Sequence, residues 1–325
     1  MKKKNNYVVT KTPLRISFLG GGTDMPYFYK KHGGATFSTA INKFVYVTVK
    51  RHSEYFIENY RLNYYDTEIC QKISKIKNSI IRETLKYFNI RTPLYISVIS
   101  DIPTGSGLGG SSSFIIGLIN ALCKLENIKI NKSELLNCAT KIELDILKKP
   151  IGKQDHIPAV YGGVLFVKYL KNSKLLIKKI NEARFIVPIN IIWTKVSRDS
   201  FLTLNSQKKR FERNIENLKI MKKICEEFSK KEIKNKKINH KKLSNYINQS
   251  WELKKKLSPL IPINKANKII NTAQKNSAGS KLLGAGGGGF ILYLGQKNNK
   301  VFKNCVYEEV KIYNNGTEII ASEKD

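Results

Sequence analysis

A glycine- and serine-rich segment, 101–113 with the sequence DIPTGSGLGGSSS, has the composition of a loop that binds phosphate. Glycine lets the backbone curl so that several N–H groups converge on one anion, and serine hydroxyls add further donors. The segment lies between an alternating stretch, 94–100, and an apolar run, 114–125. We therefore predict a strand, this loop and a buried helix, whose N-terminus would direct its positive dipole end at the bound group.

The residues of this loop that we expect to reach a phosphate are its glycines and its last three serines. They are Gly105, Gly107, Gly109, Gly110, Ser111, Ser112 and Ser113. One serine hydroxyl could instead be a ligand of Mg²⁺. A flexible glycine linker is the alternative interpretation. The loop is not of the Walker type, because Lys and Ser/Thr do not follow at the required spacing.

Two carboxylates further along the chain are suited to phosphoryl transfer. Asp155 lies in the polar, glycine-bounded stretch 150–163, where it could orient a hydroxyl group or remove its proton. Glu143 precedes it on a predicted helix and could bind Mg²⁺, which prefers oxygen ligands. The alternatives are a turn or helix cap for Asp155 and a solvated surface for Glu143. His156 is more often a packed or surface residue than a catalyst.

Two other segments could contribute to the same site. The stretch 13–24, PLRISFLGGGTD, contains Arg15, which could contact a phosphate or the reacting hydroxyl. It also contains Asp24, whose carboxylate could accept hydrogen bonds from sugar hydroxyls. The glycine run Gly284–Gly289 could form a second loop that closely approaches a ligand, and a tight turn between strands is the alternative.

The elements that must position these residues follow from the periodicity of apolar residues. Strands are predicted at 8–18 (broken by Pro13), 35–50, 94–100, 164–169, 175–180 and 185–193. Helices are predicted at 25–31, 71–89, 114–125, from an N-cap at Ser133 to Pro150, and at 204–229, 241–257 and 264–275. Since the composition changes after about residue 195, we predict an α+β fold with two domains, 1–185 and 186–325, and an active-site cleft between them.

The composition narrows the class of protein. A chain of 325 residues that is 41% hydrophobic can bury a core without disulfides or metals. Its apolar runs are too short for a membrane span, and no signal-peptide core follows the basic start. Scattered cysteines argue against zinc and indicate reduced thiols in a cytoplasm. The formal charge of +33 comes mainly from lysine and indicates a solvated surface; attraction of anionic substrates or nucleic acid is the alternative.

The four segments, in this order, resemble the GHMP kinase superfamily, which includes galactokinase, homoserine kinase and mevalonate kinase. Its phosphate loop, Pro-x-x-x-Gly-Leu-Gly/Ser-Ser-Ser, matches residues 103–113. The ATP-binding residues that the resemblance implies are Pro103, Gly105, Ser106, Gly107, Leu108, Gly109, Gly110, Ser111, Ser112 and Ser113. Gly110 replaces the first serine of many members, so the ligand of Mg²⁺ is expected at Ser111, with Ser112 as the alternative.

The resemblance also implies roles for residues outside the loop. The acidic ligand of Mg²⁺ falls on Glu143, the catalytic aspartate falls on Asp155, and Arg15 steadies the developing charge. The sugar-binding stretch of the galactokinase branch matches Pro13, Arg15, Gly20, Thr23 and Asp24. Its Glu-His pair is replaced by Gly21-Gly22, which argues against galactose. The implied fold combines an N-terminal domain similar to a ribosomal protein domain with a ferredoxin-like C-terminal domain.

Within the superfamily, the chain looks most like the branch that phosphorylates D-glycero-D-manno-heptose 7-phosphate. The segments that carry this likeness are PLRISF, GKQD, SRD, WELKKKLS and KLLGAGGGGF. The likeness implies transfer from ATP to the anomeric hydroxyl, giving a bisphosphate for GDP-heptose and surface polysaccharide. The implied substrate contacts are Gly21, Gly22, Thr23, Asp24, Lys153, Arg198, Lys281, Gly286 and Gly287, of which the basic residues are candidates for the substrate's own phosphate.

Three alternatives to this substrate and function stay open. Another sugar, such as L-fucose, could be the acceptor. A basic nucleic-acid-binding module and a non-catalytic sugar or nucleotide sensor are alternatives of a different class. We expect ATP, Mg²⁺ and a small sugar phosphate as partners, and no membrane. The sequence does not determine the oligomeric state.

Overall fold

The computed structural model describes residues 5–197, 200–235, 237–276, 278–296, 302 and 305–324. These residues form two sheets with helices packed against them. The strands are β1 (Asn5–Leu19), β2 (Gly34–Arg51), β3 (Tyr60–Asn63), β4 (Thr67–Cys70), β5 (Leu94–Ser100), β6 (Val164–Tyr169), β7 (Leu175–Ile180), β8 (Ile189–Trp193), β9 (Gly279–Leu282), β10 (Phe290–Leu294), β11 (Val306–Val310) and β12 (Glu318–Lys324). The α-helices are α1 (Pro26–His32), α2 (Ser79–Tyr87), α3 (Gly110–Leu125), α4 (Lys132–Thr140), α5 (His156–Tyr161), α6 (Ser200–Lys209), α7 (Phe211–Lys231), α8 (His240–Lys256) and α9 (Asn264–Lys275). Short helical turns of other types lie at Ile73–Lys75, Lys141–Ile146 and Glu182–Arg184.

The larger sheet is built around β2. Its path is β12-β1-β2-β5-β3-β4, and β6 and β7 extend from another part of β2. Residues 34–39 of β2 pair with β6, whereas residues 45–51 pair with β5. Alternate valines of the second part, Val45, Val47 and Val49, are buried, and α3 contacts this strand. The alternation seen in the sequence thus marks the face of β2 that a helix covers.

Helix α3 is apolar on nearly all sides because it is enclosed. It packs against β1 and β2, and α2, α4 and α5 also contact it. Gly117 allows the close approach to the sheet, since a Cβ there would lie 2.7 Å from the Thr12 Oγ1 atom. This packing fixes the N-terminus of α3, and the glycine-rich loop before it, against β1.

Strand β1 continues through Pro13, where the sequence predicted a break. The pairing of β1 with β2 shifts in register between Pro13 and Leu14, and proline cannot donate to the ladder. Beyond this point the Arg15 N–H donates to the Leu108 carbonyl (3.0 Å), and the Pro13 carbonyl accepts a hydrogen bond from Ser113 Oγ (2.8 Å). The irregularity therefore attaches the glycine-rich loop to the sheet.

The smaller sheet is antiparallel, with the strand order β11-β8-β10-β9. Helices α8 and α9 pack against β9, and α7 packs against α8. Trp251 of α8 and Ile270 of α9 are buried in the same apolar cluster as Ile291 of β10. Phe228 of α7 belongs to the other apolar cluster, which contains the core of the larger sheet together with Ile191 of the smaller one, so α7 and α8 join the two parts of the core.

The predicted α+β class is confirmed, but several boundaries differ. Helix α3 begins at Gly110 rather than at residue 114, so the last serines of the loop form its first turn. Helix α4 is capped by Asn131 rather than Ser133, because Asn131 and Glu134 form a capping box. The predicted helices 71–89 and 204–229 are each interrupted, and the strand predicted at 185–193 begins at Ile189.

The final strand lies on the other side of the predicted domain boundary. Although residues 186–325 were assigned to a second domain, β12 pairs with β1 from Lys11 back to Asn5. The end of the chain is therefore part of the larger sheet. Strand partners are set by register and burial rather than by distance along the chain, so a change in composition near residue 195 could not indicate this return.

Candidate active site

A cavity of about 810 Å³ contains most of the residues that the sequence analysis selected. It is lined by the glycine-rich loop, the glycine run after β9, the turn after β1, the 151–155 loop and parts of α6, α7 and α8. One end is largely apolar. The residues that line this end include Val45, Tyr64, Tyr65, Ile80, Val98, Ile99, Ile102 and Phe114. The other end is polar, and its side chains come from widely separated segments.

The glycine-rich loop approaches the cavity with its backbone. Gly105, Gly107 and Gly109 have φ angles of 71°, 82° and 81°, a region that side chains rarely adopt. Gly109 is the N-cap of α3, and no side chain caps this helix. The free N–H groups of the first turn of α3 therefore suit an anion at the cavity surface.

The second glycine run packs directly on this loop. A Cβ on Gly284 would lie 2.4 Å from the Gly107 Cα, and a Cβ on Gly289 would lie 2.3 Å from the Ser106 carbonyl oxygen. The Phe290 N–H donates to that same carbonyl at 3.0 Å. The glycines after β9 thus allow two loops from distant parts of the chain to form one surface.

Glu143 is completely buried next to the start of α3, on a π-helical turn that continues α4. Ser111 Oγ donates to its Oε1 atom (2.9 Å), and the Lys149 ammonium lies 2.8 Å from the same oxygen. His156, also fully buried, lies 2.7 Å from Oε2 through its Nε2. Burial alone would raise the pKa of Glu143, but His156 and Lys149 outweigh it and lower this pKa to about 2. Glu143 is therefore ionised at neutral pH.

Arg15 and Asp155 form a paired unit in the cavity wall. Arg15 Nε donates to Asp155 Oδ1 at 2.8 Å and Nη2 donates to Oδ2 at 2.5 Å, which is a bidentate geometry. The remaining Nη1 donates to the Gly107 carbonyl at 2.6 Å. Asp155 keeps 35% of its side chain exposed, whereas Arg15 keeps 4%. The pair therefore connects the glycine-rich loop to a carboxylate that a ligand can reach.

Asp24 is held by backbone donors beside this pair. Its Oδ1 accepts from the Gly22 N–H (3.0 Å) and its Oδ2 accepts from the Gln154 N–H (3.1 Å). Gly152 makes room for it, since a Cβ at that position would lie 1.8 Å from Asp24 Oδ2. Burial and the nearby Asp155 carboxylate raise the pKa of Asp24, although the two backbone N–H groups lower it.

Two buried lysines line the same polar end. Lys254 of α8 donates to the carbonyls of Leu282 (3.1 Å) and Gly284 (2.6 Å). Lys281 of β9 donates to the Phe18 carbonyl at 2.9 Å. Burial and the charge of Arg15 lower the pKa of Lys254 to about 7, and burial and Lys254 lower that of Lys281 well below 10.5.

The structure brings most of the selected residues into one cavity, with several exceptions. Leu108, Thr23 and Ser113 are buried and bond or pack within the protein: Thr23 Oγ1 donates to the carbonyls of Gly20 and Ala35. Neither these three residues nor Lys153, Gly287 and Glu143 lie among the cavity-lining residues that the structure describes, although Glu143 accepts a hydrogen bond from the cavity-lining Ser111. Apart from Glu143, these residues therefore do not lie where they could easily make the contacts with substrate or phosphate that the sequence predicted. Arg198 lies outside the described residues.

Some residues at the site were not selected from the sequence. Gln154 belongs to the GKQD segment, and its amide donates to Ser17 Oγ at 2.5 Å. Lys254 lies in the WELKKKLS segment but does not differ in type from the lysines that follow it. Lys149 and His156 interact with Glu143, but the sequence around a lysine or a histidine does not indicate which carboxylate will lie beside it after folding. Gln154, His156 and Lys254 lie inside segments already singled out, and Lys149 directly precedes one of them, which was the available signal.

Comparison with known proteins indicates which proteins this chain is similar to. Residues 74–163 match the family described as GHMP kinases N terminal domain. The chain is 28% identical over 304 residues to the D-glycero-alpha-D-manno-heptose 7-phosphate kinase of Campylobacter jejuni subsp. jejuni serotype O:2, which covers 87% of this chain and 88% of that protein.

Two solved structures have a similar fold. A D-glycero-D-manno-heptose 1-phosphate kinase from Bacteroides thetaiotaomicron superposes with a TM-score of 0.76 at 20% identity, over 97% of this chain and 99% of that one. The phosphomevalonate kinase of Streptococcus pneumoniae, in complex with phosphomevalonate and AMPPNP, gives 0.72 at 16% identity over 98% and 100%.

The fold and the site define a phosphotransferase that acts on a sugar or another alcohol. Residues 74–163 thus match the N-terminal domain of the GHMP kinases, a family whose enzymes take their phosphoryl group from ATP. In the part of the chain that the structure describes, no helix is long and apolar enough to cross a membrane.

Proposed function

We propose that the protein transfers the γ-phosphoryl group of ATP to the anomeric hydroxyl of D-glycero-D-manno-heptose 7-phosphate. The observation that carries the proposal is the position of the Arg15–Asp155 pair. Arg15 binds the carbonyl of Gly107 in the glycine-rich loop, and Asp155 follows Gln154, whose N–H holds Asp24. The glycine-rich loop, which suits a phosphate, and the region of Asp24 and Gln154, which suits hydroxyl groups, therefore both adjoin the carboxylate of Asp155, which a ligand can reach.

The donor fits the end of the cavity that the glycine-rich loop forms. The N–H groups at the start of α3 suit the triphosphate. The apolar side chains beyond the loop suit the base, because burial of a ring against such side chains is favourable.

Ser111 and Glu143 have the donor set that fits a magnesium ion. Their oxygens lie 2.9 Å apart at the start of α3, and the Glu143 pKa of about 2 keeps the carboxylate ionised. Hard oxygen ligands of this kind suit Mg²⁺. When bound there, the ion would offset charge on the β- and γ-phosphates.

The side chains of this protein supply positioning and charge for the transfer. Asp155 accepts the hydrogen bond of the attacking hydroxyl, and orients it or removes its proton. Arg15 holds that carboxylate in one orientation and places a cation beside the transferred group. Asp24 and the Gln154 amide hold other hydroxyls of the sugar, so that a single hydroxyl faces the donor.

The choice of acceptor rests on the comparisons. The Campylobacter relative that matches most of this chain is a heptose 7-phosphate kinase. The pneumococcal structure shows that this fold can hold a phosphorylated acceptor together with an ATP analogue. We infer that the product serves GDP-heptose and surface polysaccharide synthesis. The five free cysteines suit a reducing cytoplasm as the site of the reaction.

A kinase assay over free and phosphorylated sugars tests the proposal. Heptose 7-phosphate, free heptose, L-fucose, mannose and galactose would be offered with ATP and Mg²⁺, and NMR would locate the new phosphate. We expect the highest kcat/KM with heptose 7-phosphate and a new phosphate on O1. A phosphate on another hydroxyl, or preference for L-fucose, would overturn the proposed acceptor and leave the kinase class intact.

A further inference from the structure

Lys254 and Lys281 are unusual among the lysines of this protein because they are buried at a ligand cavity. Only 8% of Lys254 and 3% of Lys281 is exposed, yet both line the cavity. They come from different elements, α8 and β9, and the carbonyl that Lys254 binds belongs to Leu282, the neighbour of Lys281. Two ammonium groups are thus brought to one wall although they repel each other.

Backbone carbonyls leave part of the hydrogen-bonding capacity of these lysines unused. An ammonium group has three N–H donors. Lys254 uses two of them and Lys281 uses one on main-chain carbonyls. Within residues 5–197 and 200–296, apart from the few that the structure does not describe, neither ammonium has a carboxylate within 4.0 Å. The remaining donors are available to a ligand in the cavity.

The carboxylates of the cavity are already occupied by other donors. Asp155 is bound by Arg15, and Asp24 is held by two backbone N–H groups. The two lysines therefore form no ion pair with these carboxylates, and the more distant charge of Asp155 only partly offsets the effect of burial on Lys254. Buried cations are costly without a partner, and the lowered pKa values of Lys254 and Lys281 reflect that cost. An anionic ligand would remove it.

The position of Lys281 places it beside the turn that follows β1. Lys281 reaches the carbonyl of Phe18 in β1, shortly before the turn that carries Gly21, Gly22 and Asp24. This turn is the side of the cavity that holds the acceptor in the proposed function. An anion bound by Lys281 would therefore belong to the acceptor rather than to ATP.

We propose that Lys254 and Lys281 together form the site for an anionic group of the acceptor, and that a phosphate monoester is the chemistry they recognise. The proposal rests on the proposed function, since it takes the polar end of the cavity as the acceptor pocket. It assigns the selection of phosphorylated over free sugars to these two side chains. The sequence suggested both Lys281 and Lys153 for this role, and of these two Lys281 lines the cavity whereas Lys153 does not.

Steady-state kinetics with matched variants test this site. Lys254→Met and Lys281→Met remove the charge and keep most of the length of the side chain. Lys256→Met, an exposed position on the same helix, is the control. With heptose 7-phosphate we expect KM to rise about 10–100-fold in each cavity variant, the range for a lost hydrogen bond to a charged group. For free heptose, KM should stay within about threefold, because the phosphate is the group these lysines bind.

Equal losses with both acceptors, or a loss confined to kcat, would overturn the proposal and assign the lysines a structural role in holding the second glycine loop. Should a methionine variant fail to fold, Lys254→Gln and Lys281→Gln retain an amide donor for the carbonyls and still lack the charge. Circular dichroism and the melting temperature would establish folding for every variant.

Binding of inorganic phosphate separates this inference from the identity of the sugar. With AMPPNP saturating the donor end, calorimetry would measure the affinity of wild type, both cavity variants and Lys256→Met for phosphate. If phosphate binds more weakly to the two cavity variants but not to Lys256→Met, the site is supported even where heptose 7-phosphate proves to be the wrong acceptor. Equal binding in all four proteins, or no binding in wild type, contradicts it.

Discussion

The two ends of the cavity are built in different ways. The end that we propose for the donor consists of backbone: the loop 105–109 and the first turn of α3, whose N–H groups need no particular side chain. The end that we propose for the acceptor consists of side chains that arrive from separate elements, with Asp24 after β1, Gln154 before α5, Lys254 on α8 and Lys281 on β9. A contiguous segment forms one end, and the tertiary fold assembles the other.

This difference has a functional consequence. ATP is the donor whichever acceptor such an enzyme uses, and a backbone cradle can bind its triphosphate without regard to most side-chain changes. The acceptor must be told apart from similar sugars, which requires polar groups at fixed positions that would be left unpaired by the wrong ligand. We therefore expect substitutions at the acceptor end to change which sugar is used, and substitutions in the loop to change stability and ATP binding.

Asp155→Asn should have the largest effect, because Asp155 lies where the two ends meet. The amide retains the shape of the side chain but cannot accept a proton from the attacking hydroxyl. We expect kcat to fall about 10²–10⁴-fold with a folded protein. Stopped-time assays of ATP turnover with a fixed acceptor would measure it, and near-normal kcat would exclude Asp155 as the catalytic carboxylate.

Within the loop, Gly107→Ala should destabilise the fold by roughly 2–3 kcal/mol. The position has a φ of 82°, and a Cβ there would lie 2.9 Å from the Leu283 carbonyl oxygen, so strain and a steric clash combine. Gly110→Ala is the matched comparison, since a Cβ there meets nothing within 4 Å. Urea unfolding of both variants would measure the difference, and equal stabilities would show that the loop adapts.

Lys254 should make the stability of the fold rise with pH. Its pKa is about 7 in the folded protein and ordinarily 10.5, so between these values the unfolded chain binds a proton that the folded chain does not. The free energy of unfolding therefore gains up to about 1.4 kcal/mol per pH unit from this residue. We expect about 2 kcal/mol between pH 7 and 9 relative to Lys254→Met.

Urea titrations at several pH values would measure this contribution. Lys256→Met should keep the wild-type pH dependence, because Lys256 is exposed on the same helix. If the free energy of unfolding changed equally with pH in Lys254→Met and in wild type between pH 7 and 9, the Lys254 ammonium would not be desolvated in the folded protein.

Glu143 should have a smaller effect on the pH dependence of stability, and here folding lowers the pKa of an acid rather than that of a base. Its folded pKa of about 2 lies below the ordinary 4.5, so the carboxylate stabilises the fold above pH 4.5, and this stabilisation is lost as the pH falls toward 2. Relative to Glu143→Gln, wild type should lose about 1 kcal/mol between pH 5 and 3.5. Unfolding curves at both pH values would show it, and a constant difference would mean that His156 and Lys149 do not hold the carboxylate in solution.

Much of the donor end could be predicted from the sequence. Its glycines and serines are adjacent, and their spacing before an apolar helix directly reflects the backbone geometry that phosphate requires. The predicted start of α3 was less accurate, because the serines Ser111–Ser113 are compatible both with a loop and with the first turn of a helix. The predicted break at Pro13 was wrong for a related reason: the pairing of β1 with β12 ends at Lys11, and a strand tolerates a proline at a shift in register beyond that point.

The sequence by itself determined the class of chemistry, through the phosphate loop, Glu143, Asp155 and the order of the four segments. Only the tertiary structure decided which basic residues belong to the site. Lys254, Lys255 and Lys256 are consecutive and chemically identical, and no local pattern distinguishes them. The orientation of α8 against β9 buries Lys254 at the cavity and leaves Lys256 exposed. The physical reason is that burial and the neighbouring groups decide whether a lysine can bind a particular ligand, and those groups lie far away in the sequence.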